Sequence, residues 1–303
     1  MPGLSGEARE GAREVDPTPS VVEHWRALRT GAWLGWQYSS NWTDPLLFAI
    51  YSIIKPIAGT LILVFMYYLA VDVGGEVGIE RLAYMFVGSA FYMFVFQAFF
   101  GLFEVIQGDR EWFQTIRYIY ISPISYYAYV AGRGTTQMGT AAFGVTIVLL
   151  FGKFLLNLPI SLSLGLLPFF LAILLLGAFC TVVIGIALAG VTFLTARHGG
   201  GMSEGVTGIF YVFSGVIFPL SVLPQWGQIL GRYIPLTYWF EGLRRAMLPG
   251  FVGDSFLLSI SNSLLLVILA GATVLFFLVS VGVFRYTEYL ARKKGKIDMT
   301  TAY

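Results

Sequence analysis

Charge is scarce in this sequence. Of its 303 residues only 12% are Asp, Glu, Lys or Arg, while 57% are hydrophobic. Soluble domains carry about 25% charged residues, and half that supply cannot cover a soluble surface. The two soluble domains that length alone would suggest are therefore excluded, and the chain belongs in a bilayer. The 35 glycines and 12 prolines sit inside apolar runs rather than polar tracts, which excludes a disordered chain. A single cysteine, Cys180, excludes an intramolecular disulfide framework and a cysteine-rich metal site. Two histidines, His24 and His198, are too few for most histidine-ligated metal chemistry. Neither HExxH nor the phosphate loop GxxxxGK[ST] occurs, so the chain holds no ATP through a loop of its own. A net charge of +2, with its basic residues scattered, argues against nucleic acid. Residues 1–20 have no apolar run behind a basic start, so they read as a flexible polar tail rather than a cleavable signal.

What is abundant is apolar helix. Val21, Val22, Trp25, Leu28 and Ala32 recur at helical spacing with Arg26 and Arg29 between them, and Trp33, Trp36, Tyr38 and Trp42 follow. Tryptophan and tyrosine favour the headgroup level, so residues 21–43 read as an amphipathic helix lying in the interface; a soluble helix packed on a partner is the alternative. Asp44-Pro45 then starts the first span. Crossing the hydrocarbon takes about 20 apolar residues. The segments that qualify are 46–70, 82–105, 126–151, 166–194, 205–223 and 259–284, about six spans in a membrane domain covering 46–284. An even number puts both termini on one side. Thirteen basic residues fall on the side of the tails and five on the other, with Lys55 inside the first span uncounted. The positive-inside rule therefore predicts cytoplasmic termini, including a basic tail at 285–303.

Two connections are long enough to do more than turn the chain. In the cytoplasmic one, Asp109 and Glu111 at the start and Arg117 near the end suit a helix macrodipole. Trp112, Ile116 and Ile119 fall on one face of the short amphipathic helix so predicted, and Ser122-Pro123 ends it. Such a helix either docks into a soluble partner or rests on the headgroups. In the outer connection, Pro224-Gln225-Trp226 leads through Tyr233 to Pro235, and a second run carries Tyr238, Trp239 and Leu243. Glu241 and Arg245 there are spaced as an i,i+4 pair. Both runs are too short to span and read as re-entrant or interfacial half-helices. Arg232, Arg244 and Arg245 on this outer side need pairing or solvation.

These residues resemble the membrane subunit of ABC-2 type exporters. The strongest match is Ser214-Gly215-Val216-Ile217-Phe218-Pro219-Leu220-Ser221-Val222-Leu223-Pro224-Gln225-Trp226, continuing through Tyr233-Ile234-Pro235-Leu236-Thr237-Tyr238 to Leu243-Arg244. Asp109-Arg110-Glu111, leading to Ser122-Pro123-Ile124-Ser125, matches a second recurring block. The likeness covers nearly everything after Val21. It implies an all-α membrane fold of the type V exporter kind: an N-terminal interfacial helix, a cytoplasmic coupling helix and outer re-entrant half-helices. It also implies a homodimer or pseudo-dimer in the plasma membrane, driven by separate cytoplasmic ATPase subunits that bind ATP and Mg, so that this chain needs no cofactor and is not itself an enzyme. Residues Gly108–Tyr118, with Asp109, Arg110, Glu111, Trp112 and Arg117, would dock on the ATPase. Pro219, Pro224, Trp226, Pro235, Tyr238, Glu241, Arg244 and Arg245 would form the outer gate. The path would run between two copies, lined by the first, second and fifth spans, and its cargo would be a drug, lipid or glycan.

Lys55, Tyr92 and Phe96 are candidates for that path. A lysine at a helix centre costs roughly 2.5–3.5 kcal/mol on insertion scales, so Lys55 either snorkels to the inner interface or faces water. Thr136, Thr140 and Gly144, and likewise Gly185 and Ala189, are spaced for close helix packing. Cys180 reads as an inert packed thiol and His198 as a loop residue. Ser214-Gly215 cannot be an intramembrane serine protease site, because no histidine base lies in any span. Two other classes stay open: a secondary transporter, which the lack of a carboxylate deep in a span disfavours, and a membrane anchor for a cytoplasmic complex.

Overall fold

The computed structural model describes residues 21–41, 44–74, 78–122, 124–195, 199–251 and 256–295. The predicted tail at 1–20 and the end, 296–303, of the tail predicted at 285–303 lie outside the described residues, as do Trp42, Pro123 and His198; the start of that second tail is instead helical, because α10 continues to Lys293. The described chain is helical throughout, with no strand. Its helices are α1 (Val21–Ser40), α2 (Pro45–Asp72), α3 (Ile79–Gln107), α4 (Ile116–Ile121), α5 (Tyr126–Phe154), α6 (Leu167–Val191), α7 (Gly199–Phe213), α8 (Gln225–Tyr233), α9 (Pro235–Met247) and α10 (Asn262–Lys293).

Small residues decide how α1 lies. Its buried positions are Ala27, Gly31 and Gly35, four apart on one face. A Cβ on Gly31 would meet the Tyr129 carbonyl of α5, and one on Gly132 would meet the Leu28 carbonyl of α1. The two backbones therefore touch, which is how helices associate in lipid. Thr136 adds a hydrogen bond from its hydroxyl to the Ala32 carbonyl, 2.8 Å. The large apolar residues Val21, Val22, Trp25, Trp33 and Trp36 point away from the bundle. That leaves them free for the headgroup level.

α2 begins as its sequence demands. Asp44 accepts the Leu46 N–H at 2.9 Å and Pro45 takes the first helical position. The helix then leans only lightly on α5 and α3. In its most apolar stretch 17% of residues are buried, against 67% for α3 with its continuation. α3 is thus the axis of the bundle, packed by α5, α6, α7, α9 and α2, and α10 lies on α6. Phe86, Phe91, Phe94, Phe99 and Phe103 fill the core around α3. Gly185 of α6 sits against the Ala98 carbonyl, and Cys180 is buried between the helices.

Among the described residues five helices are long and apolar enough to cross a membrane: Pro45–Asp72, Ile79–Trp112, Tyr126–Phe154, Leu164–Val191 and Asn262–Lys293. The expectation of a span at 205–223 needs correction. The helix there is α7, which starts earlier and stops at Phe213 after 15 residues, about 22 Å. Gly215, at φ +70°, turns the chain out of the helix, and 220–222 is a single 3-10 turn. The chain still passes from one end of the bundle to the other. Just before α7, the Thr192 carbonyl takes a hydrogen bond from Arg110, at the end of α3. Just after it, the Gly215 carbonyl takes one from Tyr84, near the start of α3. Flanking turns complete what the short helix cannot span.

Candidate functional site

The first candidate site is the elbow after α3. The helix does not stop at Gln107 but widens into a π-helical turn, Gly108–Trp112, whose last bond runs from the Phe113 N–H to the Gly108 carbonyl. Such single turns are frequent at functional places. Gln114, at φ +51°, then breaks the chain; this left-handed conformation is rarely adopted by residues other than glycine. α4 follows after the break. The single amphipathic helix expected over Gly108–Tyr118 is therefore a bent pair, and its proposed face comes apart: Trp112 is 68% exposed while Ile116 is buried.

The same bend sorts the five residues expected to dock. Asp109, Arg110 and Glu111 are buried, whereas Trp112 and Arg117 are exposed. The charged triad points inward because it has partners there. Asp109 Oδ1 lies 3.6 Å from Arg133 Nη1 of α5 and accepts the hydroxyls of Thr115 at 3.3 Å and Tyr129 at 3.4 Å. Arg133 also donates to Tyr129 Oη at 3.0 Å, and its guanidinium lies over the Tyr38 ring of α1, 4.5 Å from the centroid. Tyr38 in turn stacks on Phe113, 4.4 Å apart and nearly parallel. Arg110 pairs with Glu111 at 3.3 Å and donates to Gln107 Oε1 at 2.7 Å and to the Thr192 carbonyl at 3.3 Å. On the far side, the Tyr120 ring of α4 lies under the Arg292 guanidinium of α10, 4.8 Å away, and Arg292 pairs with Glu288 at 2.6 Å. Burial, with Glu288 close by, pushes the Tyr120 hydroxyl well above its ordinary range and keeps it protonated. One elbow thus touches α1, α5, the α6–α7 turn and α10. Outside it stands a rim of Trp112, Phe113, Arg117, Tyr118 and Ile121.

Sequence reasoning counted Arg133 only as a basic residue near the inner end and left Tyr38 and Tyr129 out of the site. The available signal was Arg133 itself, an ionisable residue inside an apolar span, which by default has a partner and a task.

The second candidate site closes the opposite end of the bundle. Pro235, at the first position of α9, separates it from α8, and Thr237 donates to the Gly231 carbonyl across that break at 2.7 Å. α9 is a core element rather than an interfacial one: Leu236, Trp239, Phe240 and Leu243 are buried, and Trp239 fills the space that Gly177 leaves on α6. Arg244 reaches from α9 to α3. It donates to the Tyr84 carbonyl at 3.2 Å and the Val216 carbonyl at 2.6 Å, and its guanidinium lies 3.5 Å from the Tyr84 ring centroid. Gly88 makes room, since a Cβ there would meet both Arg244 and the Val216 carbonyl. Arg245 pairs with Glu241 at 2.9 Å and binds the Leu257 and Ile260 carbonyls, at 2.7 and 2.6 Å, holding the segment before α10. Arg232 lies over the Phe256 ring, 4.9 Å away. Each of the three outer arginines is matched in this way. Tyr238 donates to the Arg232 carbonyl at 2.8 Å, and burial raises its pKa, the nearby Arg232 opposing. Pro219 and Pro224 flank the short 3-10 turn before α8. Trp226 is exposed on α8 beside Ile229, Leu230 and Tyr233, with its ring 5.7 Å from Phe213.

The three path candidates lie apart from one another. Tyr92 is tied to α7 through a hydrogen bond to the Thr207 carbonyl, 2.5 Å, and a ring contact with Tyr211. Phe96 is partly exposed and stacks on Phe100. Lys55 is exposed on α2. No group of His, Cys, Asp and Glu suited to a metal ion occurs among the described residues.

Comparison with known proteins agrees with this architecture. A family model described as ABC-2 type transporter matches residues 30–248, from α1 to the end of α9. No curated protein matches the chain.

Proposed function

Because the chain belongs to the ABC-2 type transporter family and is its membrane-embedded permease component, we propose that it works as a homodimeric exporter driven by separate cytoplasmic ATPase subunits. Hydrolysis takes place on those partners, with their ATP and Mg. The two permease copies enclose the path for a drug, lipid or glycan, and the elbow end faces the cytoplasm, with both termini there.

The observation that carries this reading is the construction of the elbow. An apolar and basic rim stands outside, and directly behind it an ion pair to α5, a hydrogen bond to the α6–α7 turn and ring contacts to α1 and α10 join the elbow to the rest of the bundle. A partner pushing on Trp112, Arg117 and Tyr118 moves the end of α3, and with it α1, α5 and α10. Docking therefore belongs to the rim, while Asp109, Arg110 and Glu111 transmit from inside. At the other end, Arg244 and Arg245 hold the closed arrangement of the α7–α8 turn, α9 and the start of α10. Alternating access then consists of switching which end is held.

Affinity purification with a co-expressed ATP-binding cassette subunit tests the docking assignment. Arg117→Glu with Tyr118→Ala should lower retention of the ATPase about tenfold, as loss of an interface anchor does. Both side chains are exposed, so thermal stability should change far less than retention does. Unchanged retention would show that the rim is not the docking surface.

A further inference from the structure

Lys55 is a charge set within an apolar span. It forms no hydrogen bond or ion pair with any described residue. Its direction follows from the burial pattern of α2: Thr60, Leu63 and Val64 face the bundle, and at about 100° per residue Lys55 points to the opposite side. That side is apolar, with Tyr51, Ile62, Phe65, Met66 and Leu69 all exposed. Its depth is fixed by the neighbouring residue. Pro56 packs on Gly144 of α5 together with Met93, and Met93 lies midway between Ile79 and Gln107 along α3. Lys55 therefore sits level with the middle of α3.

Small residues lie one turn to either side of Lys55. Pro56 has no N–H to give to the Ser52 carbonyl, so a backbone acceptor and the Ser52 hydroxyl stand one turn from the lysine. Gly59, one turn the other way, has nothing within 4 Å of where its Cβ would be. In lipid an unpaired ammonium needs a partner, and the Ser52 hydroxyl can donate to the same anion. If two copies meet across this exposed face of α2, two ammonium groups face each other in a low dielectric, and an anion between them removes the repulsion.

We infer that Lys55 and Ser52 of two copies form a site at mid-depth of the transport path that binds an anionic group, a phosphate or carboxylate on the cargo. The inference rests on the homodimeric permease proposed above and narrows its cargo to a molecule with an acidic head. Lysine suits this task as a compact, strongly hydrated charge that a passing anion can leave.

Native mass spectrometry of the full chain, released from micelles containing equal phosphatidylglycerol and phosphatidylcholine, tests the site. The wild type and Lys55→Arg should appear as dimers that retain phosphatidylglycerol. Lys55→Ala should retain about tenfold less, the loss of a charge-assisted contact, and Lys153→Ala should match the wild type. Inorganic phosphate separates the two sources of the ligand: displacement of the lipid marks a free anion as sufficient, and persistence marks a lipid headgroup, each supporting an anionic site. A dimeric Lys55→Ala protein that binds as the wild type does overturns the inference and leaves the permease reading standing. An equal loss in Lys153→Ala also overturns it, because retention would then follow surface charge. A monomer in every spectrum overturns the dimer and the site together.

Discussion

Arg133→Gln should destabilise the protein by about 3–5 kcal/mol, because it leaves the buried Asp109 carboxylate without its ion-pair partner. The same substitution removes the cation over Tyr38 and the donor to Tyr129, so α1 and the elbow should loosen together. The double variant Asp109→Asn with Arg133→Gln removes both charges and should recover most of the loss, as expected when the cost comes from an orphaned charge rather than a missing contact. Unfolding of the four proteins in mixed micelles at increasing SDS gives the comparison. If the double variant is as unstable as the sum of the singles, the pair is not the source of the effect. In the presence of the ATPase the double variant should be folded but poorly coupled, since a neutral pair still fills the joint but no longer ties it by charge.

Arg244→Leu should have an effect of similar size. Its two hydrogen bonds to the Tyr84 and Val216 carbonyls are each worth about 1.5–3 kcal/mol as bonds to a charged group, and leucine leaves both acceptors buried. The cation over Tyr84 is lost as well. A loss of about 3–6 kcal/mol is expected, again by unfolding in SDS. Arg244→Lys should restore little, because a single ammonium cannot reach both carbonyls in the fork geometry of a guanidinium. A Lys variant as stable as the parent would show that charge alone holds this end closed.

Much of the architecture was legible before any coordinate. Asp44-Pro45 marked the start of α2, Pro235 the break between the half-helices, and the i,i+4 spacing of Glu241 and Arg245 their ion pair, because capping, ring closure and helical spacing are local. What failed was non-local. The sequence placed the large apolar side chains of α1 at the headgroup level but held no sign of where the helix touches the bundle, because in lipid that close contact falls to the small residues Ala27, Gly31 and Gly35. The run 205–223 kept a span's hydrophobicity past Gly215, where backbone conformation and not composition ends the helix. At the elbow, polarity suggested exposure for Asp109, Arg110 and Glu111. Their burial depends on Arg133, Tyr129 and Thr192, residues up to 82 positions away, which no local pattern contains.

The central claim is that a separate ATPase grips the rim of the elbow, and single-cysteine crosslinking tests it most directly. The one native cysteine, Cys180, is buried, and a Cys180→Ala background removes it entirely. With a short bifunctional thiol reagent and a co-purified ATPase carrying one surface cysteine, Trp112→Cys and Tyr118→Cys should crosslink to that subunit. Trp226→Cys, on the exposed face of α8 at the other end of the bundle, should not. Crosslinks at 226 with none at 112 or 118 would contradict both the docking surface and the orientation proposed for the chain.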